Sequence, residues 1–241
     1  MSLFAIGDLH LSLGEKVDKP MDIYGGPWIR HVQSLRENWE NIITEKDTVI
    51  LPGDVSWAMR LADAMKDLKW IASLPGQKVF VRGNHDLWWS SYTKLSKIDE
   101  SLHFLQNNCY VGDDFIIFGS RGWLCPGDWD FTEGTDRKIY ERELIRLNLS
   151  ITDALAAKEI YQNMGLDKTL IGAMHFPPTN EKIQKSGFTE LFSSNVVAKV
   201  VYGHLHGDIA YKNGPEGIYN GVEYSLCSLD KLNCVPKLIL E

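Results

Sequence analysis

Polar motifs follow apolar segments at five places along this chain, and this arrangement constrains its fold more than any other feature. The apolar segments cover residues 3–6, 49–51, 79–81, 170–171 and 200–202. The motifs that follow them are Gly7-Asp8-Leu9-His10, Gly53-Asp54, Gly83-Asn84-His85-Asp86, Ala173-Met174-His175-Phe176-Pro177 and Gly203-His204-Leu205-His206. Short apolar runs bounded by turn-forming residues are typical of buried strands, and open α/β folds build their sites at the carboxyl ends of such strands. The sequence therefore predicts that these polar side chains gather at one edge of a sheet.

The side chains in these motifs are of the kinds that bind divalent first-row metals. Imidazoles occur together with carboxylates and one amide, whereas calcium and magnesium sites use oxygen almost alone. The set is too large for a single ion. Two ions about 3.5–4 Å apart, sharing a carboxylate and a bridging hydroxide, would use all of these ligands and would suit in-line displacement at phosphorus. We therefore predict a site for two divalent ions, with Mn, Fe, Zn, Co and Ni as candidates.

Each motif taken alone also has an ordinary structural explanation. A Gly-Asp pair after a strand commonly forms a turn or a helix N-cap. A single histidine in a loop is usually a hydrogen-bonded polar group, and Asn84 could occupy a left-handed turn. The coincidence of five such motifs in one chain favours metal binding over these separate explanations.

The length of 241 residues and the alternation of strand-like and helix-like segments predict one α/β domain over residues 1–241. Apolar spacing predicts a helix with Trp28, Val32, Leu35, Trp39 and Ile42 on its buried face, with Pro27 in its first turn. Further predicted helices cover residues 60–72, a short segment after Trp89, and a long segment with Tyr140, Leu144, Leu147, Ile151 and Leu155 on one face, ended by Gly165. Residues 109–111 and 115–119 form a predicted hairpin, and residues 222–226 and 234–240 are predicted antiparallel strands. The whole predicts an α/β (α+β) sandwich of two packed mixed sheets flanked by helices.

Charge and composition narrow the class of partner. The net charge of −7 argues against long nucleic acid, because duplex binding needs a basic face. No apolar run approaches the roughly 20 residues of a membrane span, and the N-terminus has no secretory pattern. The four cysteines include no C-x-x-C pair and are expected to be small buried hydrophobes. We expect a cytoplasmic protein that acts on a small phosphorylated substrate, without membrane contact; the pattern does not indicate an oligomeric state.

The order of the motifs from Gly7 to His206 resembles the complete signature of the calcineurin-like metallophosphoesterases. The resemblance implies a β-sandwich flanked by helices, with a two-metal centre where the strand-end loops converge. It implies that one ion is held by Asp8, His10, Asp54 and His206. It implies that the second ion is held by Asn84, His175 and His204, with Asp54 bridging both ions. His85 would be the catalytic histidine that binds no metal and faces the substrate.

The predicted chemistry is hydrolysis of small phosphomonoesters or phosphodiesters by a metal-bridging hydroxide. His85 would stabilise charge on the phosphoryl group or protonate the leaving oxygen, although a structural role in its loop is the alternative. Three alternatives stay open: a nucleotide-directed hydrolase acting on cyclic nucleotides or a pyrophosphate linkage, a catalytically silent metal-binding scaffold, and a mononuclear structural metal site. The protein serine/threonine phosphatases carry Gly-Asp-x-x-Asp-Arg-Gly, and this chain departs from that pattern because Val55-Ser56-Trp57-Ala58 follow Asp54.

Selectivity for a substrate is expected to come from loops around the metals. The candidate segments are residues 11–26, Trp88-Trp89 and residues 121–131. In the last segment, Arg121 could clamp a phosphate, and Trp123 or Trp129 could stack on a base or sugar. Core packing is the alternative for the tryptophans, and an ion pair is the alternative for Arg121.

Overall fold

The computed structural model describes residues 1–241, and its strands form two mixed sheets that pack face to face. The five-stranded sheet has the order β11 (Lys237–Leu240), β1 (Leu3–Ala5), β2 (Thr48–Pro52), β3 (Gln77–Val81) and β4 (Leu102–Phe104). The six-stranded sheet has the order β5 (Cys109–Val111), β6 (Phe115–Ser120), β7 (Thr169–Met174), β8 (Lys199–Tyr202), β10 (Val222–Leu226) and β9 (Gly217–Tyr219). This arrangement confirms the predicted sandwich of two mixed sheets with helices outside.

The helices are α1 (His31–Ile42), α2 (Leu61–Ala72), α3 (Tyr92–Leu95), α4 (Asp136–Asn163), α5 (Gly187–Ser194) and α6 (Gly207–Ala210). Short 3₁₀ turns cover Met21–Tyr24, Gly26–Trp28 and Tyr211–Asn213.

The core has three apolar layers. One lies between α1, α2 and the five-stranded sheet, one lies between the two sheets, and one lies between the six-stranded sheet and α4 with α5. Fully burying each large apolar side chain in such layers stabilises the fold by roughly 1.5–3 kcal/mol.

The first helix begins later than its apolar spacing predicts. Arg30 adopts a left-handed conformation with φ of 54°, so the α-helix starts at His31, and Pro27 lies in a separate 3₁₀ turn. Leu35 and Trp39 are buried as predicted, but Ile42 is exposed and Ile43 is buried instead. The helix ends at Ile42, and the extended conformation of Ile43 turns that side chain into the core.

The long helix α4 confirms the predicted segment, with Tyr140, Leu147 and Ile151 buried against the six-stranded sheet. Leu155 was predicted on the same face but is exposed, and Ala154 occupies the buried position. The chain then leaves the helix through Gly165, whose φ of 80° suits glycine.

The strand β10 pairs parallel with β8 and antiparallel with β9. The prediction that residues 222–226 pair only in antiparallel fashion was therefore wrong. Alternation of apolar and polar residues identifies a strand but does not specify the direction of its neighbours. The last strand, β11, is antiparallel to β1 as predicted, and it begins at Lys237 rather than at Cys234.

The parallel core of each sheet positions the polar motifs. Strands β1, β2, β3 and β4 run parallel to one another, as do β6, β7 and β8. The carboxyl ends of β1, β2 and β3 in one sheet and of β7 and β8 in the other therefore carry the five motifs. No helix of the structure is long and apolar enough to cross a lipid bilayer.

Candidate metal centre

Four of the predicted ligands form a close cluster of donor atoms. The Nε2 atom of His175 lies 2.6 Å from Asn84 Oδ1, and His204 Nδ1 lies 3.0 Å from the same oxygen. The two imidazole nitrogens are 3.2 Å apart, and Asp54 Oδ2 is 3.4 Å from His175 Nε2. These donors match the predicted second set, and they come from the ends of β2, β3, β7 and β8.

The remaining predicted ligands form an adjoining cluster. His10 Nε2 faces His206 Nε2 at 3.4 Å, and Asp8 Oδ1 is 3.7 Å from the same His206 nitrogen. Donor atoms of Asp8 also lie close to those of Asp54 and His175. Asp8 thus belongs to both candidate groups of ligands, whereas Asp54, the predicted bridge, belongs to the second group alone.

The spacing and the protonation of these donors fit divalent metal ions. Bonds of about 2.0–2.2 Å from one ion place neighbouring ligand atoms about 3–3.5 Å apart, and the separations given above, from 2.6 to 3.7 Å, centre on this range. Metal binding needs neutral imidazoles and ionised carboxylates. Burial lowers the pKa of His175 to about 3, and burial with repulsion from neighbouring histidines lowers the pKa of His10 and His204 well below the usual value. These three rings are therefore neutral at physiological pH and available as ligands.

The carboxylates carry the opposite shift. Burial raises the pKa of Asp8 to about 8, with a further contribution from the charge of Asp54 and opposition from His206. Burial also raises the pKa of Asp54. Two carboxylates packed together away from water favour protonation unless positive charge is supplied, and divalent cations supply that charge.

The backbone is strained where the ligands project. Asp8, His10, Asp54 and His204 have φ values of 55°, 46°, 51° and 74°. Non-glycine residues rarely adopt this conformation, and such strain is concentrated at functional sites. The strain supports a functional rather than a purely structural reason for these four turns.

Glycines in two of the motifs allow the ligand loops to touch. A Cβ atom on Gly83 would overlap the carboxylate and the backbone nitrogen of Asp54, and one on Gly203 would overlap the carboxylate of Asp8. Only a residue without a side chain permits these approaches.

Asp86 fastens the loops after β2 and β3 to each other. Its buried carboxylate accepts hydrogen bonds from the backbone N–H groups of Gly83, Asp54, Val55 and Ser56 and from Trp88 Nε1, at 2.7 to 3.2 Å. Asp54 in turn accepts a bond of 2.8 Å from the His85 backbone through Oδ1. The network fixes Asp54, Asn84 and His85 without using Asp86 as a ligand.

Asp230 holds His206 from behind. His206 Nδ1 lies 3.0 Å from Asp230 Oδ1, and the other oxygen accepts from the Tyr211 hydroxyl at 2.7 Å and from the Gly207 N–H at 3.2 Å. Burial lowers the pKa of His206, but the bond to Asp230 and the charge of Asp8 outweigh burial and raise it. A carboxylate behind a histidine fixes its tautomer and directs the other nitrogen to the metal.

His85 lies at the mouth of the site. Its side chain is 46% exposed, with Nε2 3.9 Å from Asp54 Oδ2, and its ring lies 4.4 Å from that of Trp57. It borders a cavity of about 270 Å³. The apolar wall of this cavity is formed by Met21, Tyr24, Trp28 and Trp57.

The predicted substrate residues are divided between two other cavities. Trp123 and Trp129 line one that also includes His204, so this cavity reaches the cluster of predicted ligands at His204. Trp129 is 83% exposed, whereas Trp123 is half-buried and donates a hydrogen bond of 2.8 Å to Asp136. Arg121 lines a separate cavity and contacts Glu143, so its guanidinium does not border the His85 cavity. Trp88 is buried, with its indole N–H bound to Asp86.

Several residues of the site were missed by the sequence reasoning. Met21 and Tyr24 fall within the candidate selectivity segment 11–26, but nothing in the sequence distinguishes them from its other residues. Apolar spacing places Trp28 in the core, and Trp57 stands out only because it lies where this chain departs from the pattern of the serine/threonine phosphatases. Asp86 was part of a recognised motif without a role, whereas Asp230 follows no motif that indicates metal binding.

The fold and the cluster of ligands define a metallophosphoesterase-like protein. Residues 1–208 match the model of the calcineurin-like phosphoesterase family, and the chain belongs to that family. Membership supports hydrolase function and, in general terms, metal-dependent phosphoesterase activity.

Individual relatives are distant. An uncharacterised protein of Methanocaldococcus jannaschii is 26% identical over 95 residues, which cover 39% of this chain and 51% of that protein. The chain therefore matches about half the length of this curated relative. A phosphopantetheinyl hydrolase from Mycobacterium tuberculosis superposes with a TM-score of 0.52 and 17% identity, over 99% of this chain and 95% of that one. A protein of unknown function from Aquifex aeolicus gives a TM-score of 0.47 and 15% identity, over 98% and 95% of the two chains. At 17% identity, the likeness to the mycobacterial structure shows a shared fold and nothing beyond it.

Proposed function

We propose that this protein is a dinuclear metal-dependent phosphoesterase that hydrolyses small phosphomonoesters or phosphodiesters. The observation that carries the proposal is the convergence of donors from five strand ends into two adjoining clusters with metal-ligand spacing. Of the seven side chains proposed as ligands, four are histidines that supply nitrogen, and Asp8, Asp54 and Asn84 supply oxygen. This donor set favours transition metals, including manganese, over calcium or magnesium.

The proposed ligands divide between the clusters. Asp8, His10 and His206 would hold one ion, and Asn84, His175 and His204 would hold the other, with Asp54 between them. When bound, such a pair supplies a hydroxide at neutral pH and positive charge opposite the phosphoryl oxygens. The protein keeps His10, His175 and His204 neutral by burial, so that the rings bind ions rather than protons.

His85 is the proposed catalytic residue. It is the half-exposed histidine of the cluster, and its ring faces the cavity beside Asp54 instead of being enclosed among the donors. An exposed imidazole can reach a substrate oxygen and either stabilise its charge or donate a proton to the leaving group. Trp57 contacts the ring and limits its positions.

A nucleotide-directed hydrolase is the second candidate function. Trp28, Trp57 and Tyr24 give the cavity aromatic side chains that a planar base could contact. The volume of about 270 Å³ favours a small leaving group over a folded protein. The scaffold alternative is weakened because the chain has a metal-binding type of residue at every proposed ligand position and a histidine at position 85.

The test of the proposed function is a substrate panel with metal-loaded protein. The panel contains p-nitrophenyl phosphate, bis(p-nitrophenyl) phosphate, a cyclic nucleotide and a dinucleoside pyrophosphate, each with chelator-stripped and manganese-loaded chain. His85→Ala is expected to keep its metal and lose a factor of about 10²–10⁴ in turnover. His103→Ala is the matched control, because His103 lies outside the site and contacts Gln77. Near-wild-type turnover in His85→Ala would remove His85 from the mechanism, and no turnover with any divalent metal would favour the scaffold.

We also propose a cytoplasmic location. All four cysteines are free, and three of them are buried. Unpaired cysteines are typical of chains kept in a reducing compartment. Fractionation with an antibody to the native chain tests this location.

A further inference from the structure

The polar cavity that Arg121 lines lies beside the carboxyl ends of β3 and β6 and shares no lining residue with the His85 cavity. Its volume is about 100 Å³. Three arginines and one glutamate line it: Arg82 follows β3, Arg121 follows β6, and Glu143 and Arg146 project from α4. The proposed phosphoesterase chemistry uses none of these side chains.

The charges in this cavity do not balance. Glu143 Oε1 accepts a bond of 2.6 Å from Arg146 and lies 3.5 Å from the guanidinium of Arg121. Arg82 forms no ion pair with any residue of the chain. Three guanidinium groups and one carboxylate therefore line the cavity, which leaves an excess of positive charge inside a protein whose net charge is −7.

Hydrogen-bond donors in the cavity also lack acceptors. The Nε atoms of Arg82 and Arg121 are buried without a hydrogen-bond partner, and one acceptor in the same cavity, Glu143 Oε2, is also buried without a partner. Burying an unpaired donor is unfavourable, and native structures rarely tolerate it. Burial lowers the pKa of Arg121, Glu143 opposes this effect, and the neighbouring charges of Arg82, Arg142 and Arg146 lower the pKa further. An anion bound here would satisfy these donors and relieve this repulsion.

We propose that this cavity binds a tetrahedral oxyanion with two negative charges, either inorganic phosphate or the terminal phosphoryl group of a monoester. Guanidinium groups match the oxygen pairs of such anions through parallel hydrogen bonds. Ser120 Oγ accepts a bond from the Gly122 N–H at 3.3 Å, which leaves its hydroxyl hydrogen free to donate. A cavity of about 100 Å³ has more room than a single water molecule needs and suits a phosphate-sized group.

The anion site is joined to the metal centre through the backbone. The carbonyl of Arg121 accepts hydrogen bonds from the N–H groups of His175 and Phe176, at 3.2 and 3.0 Å. Arg82 directly precedes Gly83 and Asn84. An anion held by Arg82 and Arg121 would therefore order the loops that carry two proposed ligands, although its binding does not depend on metal or on catalysis.

The competing explanation is an ion network that ties α4 to the sheets and binds nothing. The two explanations differ in solution. We would record the arginine Nε–H signals of the full-length chain by NMR while adding phosphate, glycerol 3-phosphate or dimethyl phosphate at constant ionic strength. The Arg82 and Arg121 signals are expected to shift with the two dianions and to stay unchanged with the singly charged diester. A preference for glycerol 3-phosphate over phosphate would identify a monoester as the ligand, and the reverse preference would identify free phosphate.

Variants and metal removal assign the binding to this cavity. Phosphate affinity by calorimetry is expected to fall at least tenfold in Arg82→Gln and in Arg146→Gln. It should be unchanged in Lys138→Gln, since Lys138 is an exposed residue of the same helix that does not line the cavity and is not among the charges acting on Arg121. Binding should persist with excess chelator, which separates this site from phosphate held at the metal centre. Loss of all phosphate binding with chelator, or equal affinity in Arg82→Gln and Lys138→Gln, would overturn the proposal whether or not the chain is a phosphoesterase.

Discussion

Replacing Asp230 by asparagine perturbs the proposed metal centre through a residue that is not itself a proposed ligand. Asp230 accepts hydrogen bonds on both oxygens, from His206 on one side and from Gly207 and Tyr211 on the other. Asparagine keeps the shape but has only one acceptor oxygen. If that oxygen faces His206, the amide nitrogen faces the Gly207 N–H; if the amide turns, its nitrogen faces His206 Nδ1. Either orientation weakens the hold on the His206 ring.

The size of the effect follows from this geometry. A carboxylate behind a metal-binding histidine increases its basicity and fixes its orientation, and removal of such a group typically weakens metal binding about 10–100-fold. That range corresponds to about 1.4–2.7 kcal/mol of binding free energy. Only the ion that Asp8, His10 and His206 are proposed to hold is expected to lose affinity, because Asp230 contacts none of the proposed ligands in the other cluster.

The assay is competition between chelator-stripped protein and a chromogenic chelator for manganese, with stoichiometry and both dissociation constants fitted. Asp208→Asn is the matched control, because Asp208 is exposed in α6, two residues from His206. Far-ultraviolet circular dichroism should show both variants folded. An Asp230→Asn affinity within threefold of wild type for both ions would refute the role assigned to Asp230, as would an equal loss in Asp208→Asn.

Three other predictions follow from the site and the fold. Gly83→Ala should lower metal occupancy and the melting temperature, because its Cβ would overlap Asp54, whereas Gly134→Ala should change neither, because a Cβ there meets nothing within 4 Å. Equal melting temperatures and occupancies in the two variants would contradict the close approach of Gly83 to Asp54. Metal affinity should rise with pH and flatten above about pH 8, because metal binding must displace protons from two side chains: burial raises the pKa of Asp8 to about 8, and the pKa of His206 is also raised. Calorimetry in two buffers should detect proton release below pH 8, and the absence of proton release would be inconsistent with these pKa shifts. Ser186→Ala should lower the free energy of unfolding by about 1 kcal/mol, because it removes the capping box of α5, and metal affinity should stay at the wild-type value. Denaturant titration measures the change, and an unchanged unfolding midpoint would show that the capping box does not stabilise the protein.

Much of the fold could be predicted because the relevant signals are local. Each buried strand before a motif is a short apolar run, and the observed strands β1, β2, β3, β7 and β8 coincide with these runs. Parallel pairing then brings their carboxyl ends together, so the cluster of proposed ligands follows from local patterns and topology. The roles of those ligands at an ion remain predictions.

The signals that failed depend on the tertiary context. Nothing near Arg30 in the sequence indicates its left-handed conformation, which delays the start of α1. The direction of β10 depends on the strand beside it, and its own alternation contains no such information. Asp230 lies 24 residues after His206 and meets it only when the chain folds. Likewise, the sequence places Arg121 in a loop expected to border the metals, but in the fold it contacts Glu143 on α4 and lines a cavity apart from the His85 cavity.

The central claim is that the chain holds two divalent ions and uses them to hydrolyse phosphoesters. The most direct test is to titrate chelator-stripped protein with manganese while following both bound metal and hydrolysis of bis(p-nitrophenyl) phosphate and p-nitrophenyl phosphate. The claim predicts saturation at two ions per chain, with turnover appearing as the second ion binds. Saturation at one ion, or two bound ions without turnover of either ester under manganese, iron, zinc, cobalt or nickel, would contradict it.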